Sequence, residues 1–124
     1  MLWSVLLGAQ PALANGQSTH LWITEHALTH LPDGELKDIV SDPANRQMLR
    51  NGTMFPDGGY AVSDDYGEIA HWEGFQSAYR EWIENNYPQP FSDAGAQHVA
   101  FLMGMASHGM ADQVFDSLFM ERSL

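Results

Sequence analysis

Three ionisable side chains, His108, Asp112 and Asp116, stand four residues apart in a stretch that is otherwise largely apolar, with Phe101, Met105, Val114, Phe115 and Phe119 around them. At helical pitch this spacing drifts only slightly around one face, so an imidazole and two carboxylates point toward an apolar interior. Such groups are costly to bury unless they are paired or hold a cation. A cation between nitrogen and carboxylate oxygen meets that cost. The spacing alone leaves a second reading open, a helix with one satisfied core histidine and two solvated carboxylates. In both readings the chain needs a long helix, beginning near Ser92 or Asp93 and running to about Phe119.

The rest of the chain is helical in pattern too. Ser18 or Thr19 can cap a helix in which Ile23, Ala27, Leu28 and Leu31 recur at helical spacing, and Pro32-Asp33-Gly34 stops it. Glu35 to Leu49 reads as a weaker helix interrupted near Asp42-Pro43. Asn51 to Gly67, rich in Gly, Asp and Tyr, reads as loop. A further helix from about Ile69 to Asn86 carries Trp72, Phe75, Tyr79, Trp82 and Ile83 on one side, and Tyr87-Pro88-Gln89-Pro90 is a stiff connector. No segment alternates as a strand would. The expectation is an all-α fold, a compact multi-helix bundle. A chain of 124 residues, 44% of them hydrophobic, suits one domain with a modest core.

The first fourteen residues, MLWSVLLGAQPALA, form an apolar run ending in the small-x-small pattern Ala12-Leu13-Ala14. This is the signature of a cleaved export signal over residues 1–14, although the usual basic start is missing. Cleavage leaves a domain over 15–124 with Asn15 at its N-terminus, and the protein secreted or periplasmic. The run is too short to span a bilayer. The formal net charge of −11 repels nucleic acid and anionic membrane unless bound metal reverses the local field. There is no cysteine, so disulfides and thiolate metal sites are excluded and any metal rests on His and carboxylate ligands.

Three more residues are candidates for that role. His20 opens the first helix above Ile23, Ala27 and Leu31, which turns it toward the core. Asp57 lies in Phe55-Pro56-Asp57-Gly58-Gly59, read as a stiff turn followed by flexible glycines. His71 begins the third helix beside Trp72. Each alone is more simply a satisfied core residue, but four such residues from four elements suit a metal site in a bundle core. His26 and His30 read as solvent-exposed, His98 as rim or surface, and the aromatic series on the third helix as a packing stripe.

The segments Asn15 to Ile23, Phe55-Pro56-Asp57, Ala70-His71-Trp72, Glu84 to Pro90 and Ala100 to Asp112 follow one another as a family's motifs do. In that order they resemble the zinc-dependent phospholipases C. The sequence is similar as well to the N-terminal domain of glycosylphosphatidylinositol-specific phospholipase D, and the fungal single-strand nucleases share the metal site. The resemblance implies an all-helical domain with two to three zinc ions. Asp57, His71, His108 and Asp112 would hold one ion, with Asp112 bridging to a second. That second ion would also take His20 and the amine and carbonyl of Asn15. Asp116 stands where the family begins its third zinc site with a histidine, and the remaining ligands of that site would lie beyond Leu124, so the domain is expected to lack its last helices. The implied activity is cleavage of a phospholipid phosphodiester, of the phospholipase C type, by a zinc-activated water with Asp57 accepting its proton. The expected protein is a monomer making transient contact with a membrane surface. A nucleic-acid phosphodiesterase with the same metal site, or a non-catalytic zinc-binding domain, are the rival expectations.

Overall fold

Why the glycine-rich middle of the chain is not a loop becomes clear from the helix it packs against. The computed structural model describes residues 16–120; the expected export signal and Asn15 lie outside them. The described chain forms α1 (Gln17–Ala27), a 3-10 turn (Leu28–His30), α2 (Glu35–Ser41), α3 (Arg46–Ala61), α4 (Tyr66–Ala70), α5 (Glu73–Asn86), α6 (Asp93–Phe115) and a π-helical turn (Asp116–Met120). No strand occurs among the described residues, and the predicted all-α bundle is the observed fold. None of the helices described is long and apolar enough to cross a membrane.

The predicted loop over Asn51–Gly67 is a correction. Most of it is the second half of α3, with Pro56 inside the helix, and α4 begins before it ends. Its glycines are sites of close approach. A Cβ on Gly52 would lie 2.0 Å from the carbonyl oxygen of Phe101, and one on Gly104 would lie 2.1 Å from that of Leu49. The backbones of α3 and α6 therefore touch across these two residues. Gly59 and Gly67 do the same for α3 and α4, where a Cβ on Gly59 would come within 2.4 Å of Gly67 Cα.

Val40, Leu49 and Ala100 form the buried core, with Leu28, Leu31, Ile39, Met48 and Met103 packed against it. Glu25 of α1 accepts hydrogen bonds from Arg46 and Arg50 of α3, which fixes the outer side of that helix pair. Ser92 caps α6 by accepting from the Gly95 N–H.

The aromatic series on α5 does not pack as predicted. Ile83 is buried and Tyr79 half-buried, its hydroxyl 2.6 Å from His98 Nδ1, but Trp72 and Trp82 are 50% and 44% exposed. Along the seam of α1 and α6, Ile23, Met103, Met110, Val114 and Phe115 line an open apolar groove of about 590 Å³.

Candidate metal centre

Four helical segments deliver the candidate ligands to one point. His20 comes from the first turn of α1, Asp57 from the buried side of α3, His71 from the break between α4 and α5, and His108 and Asp112 from successive turns of α6. Two sequence-level placements change. Asp57 sits on a helix rather than a turn, and His71 ends α4 instead of opening the next helix. The convergence is as expected. His20, Asp57 and His108 are buried, and so is most of His71.

The donor atoms of the cluster face one another at short range. His71 Nε2 lies 3.5 Å from Asp57 Oδ1 and 3.5 Å from Asp112 Oδ2. His108 Nε2 lies 3.6 Å from Asp57 Oδ1, 3.4 Å from Asp112 Oδ2 and 3.0 Å from His71 Nε2. Donors at about 2.0–2.1 Å from a tetrahedral zinc are separated by about 3.3 Å, and these five spacings lie close to that value.

Proton placement bears on the same point. His71 Nδ1 is 2.6 Å from the Gly67 carbonyl, and His108 Nδ1 is 2.7 Å from the Thr53 carbonyl. A carbonyl only accepts, so each Nδ1 carries a proton and each ring turns its Nε2 toward the cluster. The two Nε2 atoms then face each other at 3.0 Å, a contact that a shared cation or a single proton between them satisfies. Burial pushes the pKa of both His20 and His108 down, outweighing the opposite pull of Asp57 and Asp112, so these rings are held neutral, as metal ligation requires.

A second position adjoins the first. Asp112 turns Oδ2 toward His71 and His108, while its Oδ1 lies 3.2 Å from His20 Nε2. His20 stacks on His108 with ring centroids 3.6 Å apart, yet both of its nitrogens are buried without a hydrogen-bond partner among the described residues. Asp57 Oδ2 is likewise unpartnered. Unsatisfied buried nitrogen and carboxylate oxygen, on two sides of a shared carboxylate, suit cationic ligands. The donors fall into two groups that could each hold a metal ion, His20 with Asp57 and His108, and His71 with His108 and Asp112.

Asp116 stands apart. It begins the π-helical turn, is exposed, and belongs to neither group. His26 and His30 are exposed as expected. A rim that sequence reasoning overlooked lies beside His71, whose ring is 5.5 Å from that of Tyr60. Glu68 accepts from the Tyr60 hydroxyl at 2.6 Å and from Trp72 Nε1 at 2.9 Å. The hydrogen bond to Glu68, then burial, push the Tyr60 pKa up to about 12. Its only sequence signal is the helical spacing from Glu68 to Trp72.

Comparison with known proteins follows the same lines. A family model described as zinc dependent phospholipase C matches residues 19–115. Phosphatidylinositol-glycan-specific phospholipase D of Mus musculus is 33% identical over 138 residues, covering 99% of this chain and 16% of that protein. The proteins of that name from Dictyostelium discoideum and Homo sapiens are 31% and 32% identical, over 95% and 86% of this chain. The chain thus spans roughly a sixth or less of the length of these curated relatives, at most 16%. No solved structure matches.

Proposed function

The chain belongs to the zinc-dependent phospholipase C family, and from that premise we propose that it is a zinc-dependent hydrolase cleaving the phosphodiester of a phospholipid. The observation that carries this reading is that Asp57 Oδ1 and Asp112 Oδ2 each lie 3.4–3.6 Å from both His71 Nε2 and His108 Nε2. These four atoms would hold one zinc ion. Asp112 Oδ1 and His20 Nε2 would begin a second site, completed by the amine and carbonyl of Asn15 as the mature N-terminal residue. Asp116, exposed one turn beyond Asp112, would serve neither site.

Zinc bound here would supply Lewis-acid charge to the phosphoryl oxygens and acidify a water. The protein's own part is positional and basic. The Gly67 and Thr53 carbonyls lock the His71 and His108 tautomers. Asp57 offers its unpartnered Oδ2 as acceptor for the proton of the attacking water, with Oδ1 turned to the ligand set. Asp112 and His71 form the more open side of the cluster, which makes that side the entry for substrate. The protein's net charge of −11 disfavours a nucleic-acid polyanion beyond the cluster itself. The phospholipase C type of cleavage is the primary reading. The named relatives favour a second, cleavage on the phospholipase D side.

The test uses the full-length protein, loaded with zinc, on phosphatidylcholine and phosphatidylinositol micelles and on single-stranded DNA. Hydrolysis of lipid should disappear with a chelator and return with zinc. Diacylglycerol as product supports the first reading and phosphatidic acid the second. Turnover of DNA without lipid, or bound zinc with no turnover, would overturn both.

A further inference from the structure

We propose that Thr24, Thr53 and Ser107 form a buried hydroxyl link that positions the metal ligands, with one hydroxyl from each of α1, α3 and α6. The inference rests on the zinc-site reading above. Thr24 Oγ1 lies 2.8 Å from Ser107 Oγ and 3.1 Å from Thr53 Oγ1, and Thr53 Oγ1 lies 3.0 Å from the Leu49 carbonyl. Each residue is tied to a ligand by the helix it sits on. Thr24 is one turn after His20, Thr53 one turn before Asp57, and Ser107 adjoins His108. Thr53 serves twice, because its carbonyl also accepts from His108 Nδ1.

The surroundings make the link obligatory. Thr24 is 3% exposed and Thr53 fully buried, and Leu28, Val40, Leu49 and Met103 line the small cavity beside Thr24 and Ser107. In these apolar surroundings the hydroxyls and the Leu49 carbonyl satisfy one another, and the cost of breaking the contact holds the three helices in register. Packing alone would be met by valine, which has the shape of threonine. A zinc site tolerates ligand displacements of only about 0.2 Å, so the register of α1, α3 and α6 is what the ligand set depends on.

Thr53→Val, Thr24→Val and Thr53→Ser in the full-length protein separate positioning from bulk stability. Zinc affinity is read by chelator competition, ligand geometry by the visible spectrum of the cobalt-substituted protein, and stability by melting of the metal-free form. Both valine variants should bind zinc about tenfold more weakly and shift the cobalt spectrum, as loss of an outer support does. Thr53→Ser, which keeps the hydroxyl and loses a methyl group, should melt lower yet bind zinc within about twofold of the parent. Should Thr53→Val not fold, Ser107→Ala at the half-buried end of the link reads the same effect. Parental affinity in the valine variants, or equal loss in Thr53→Ser, would overturn the link alone. A parent protein that bound no zinc would overturn the zinc-site reading and this inference with it.

Discussion

Replacing Asp112 with asparagine should lower zinc affinity by at least about a hundredfold and abolish most lipid hydrolysis. Loss of a mere outer support costs ten- to a hundredfold, and the proposed reading makes Asp112 a direct ligand to two ions. Its two oxygens face different partners, Oδ2 toward His71 and His108 and Oδ1 toward His20. An amide has one oxygen and no charge, so it cannot serve both. The metal-free variant should melt close to the metal-free parent, since one of several crowded ionisable groups has been neutralised. The difference should appear on adding zinc. A hundredfold loss of affinity removes about 2.7 kcal/mol of ligand-linked stabilisation. Calorimetry with and without zinc, alongside metal analysis, checks this. Retention of both zinc and activity would show that Asp112 does not bridge.

A second large effect is expected at a residue with no side chain at all, one turn before His108 on α6. Gly104→Ala should destabilise the protein by about 3 kcal/mol, near the upper end for overpacking. The added Cβ would meet the Leu49 carbonyl at 2.1 Å and the Thr53 N–H nitrogen at 2.5 Å. These are backbone atoms of α3 and cannot rotate away, so the helices have to separate. Against a total of about 5–15 kcal/mol, that is a large share. Separation would also carry Asp57 on α3 away from His108 and Asp112 on α6, so zinc binding should weaken in parallel. Gly74→Ala is the control. Nothing lies within 4 Å of its Cβ position in exposed α5, and alanine there should stabilise by about 0.5–1 kcal/mol through helix propensity. Thermal melting of the two variants should therefore move in opposite directions. Equal melting temperatures would contradict the close-contact account of α3 and α6.

The contrast between these glycines explains what the sequence could and could not convey. His108 and Asp112 were legible because i, i+4 spacing puts them on one face of a helix, whereas the same step on to Asp116 leads to an exposed residue outside the cluster. The interruption at Asp42-Pro43 was legible for a similar local reason, and α2 does end at Ser41. The segment around Asp57 was misread because glycine and proline carry a local meaning, flexibility and helix breaking, that tertiary packing overrides. Gly52 is in α3 to let a backbone approach, and only knowledge of its neighbour Phe101 reveals that. The exposed Trp72 and Trp82 went unforeseen because helical spacing of aromatics does not say whether a partner covers them. Nothing in the sequence marks Thr53 and Thr24 for the contact they make. Their role depends on where three helices cross.

Zinc stoichiometry of the purified full-length protein is the most direct test of the central claim, that His20, Asp57, His71, His108 and Asp112 form one multinuclear site. After reconstitution and removal of free metal, elemental analysis should find at least two zinc ions per chain, and a His20→Ala variant should lose one while keeping the other. Fewer than one zinc per chain in the reconstituted parent would contradict the account.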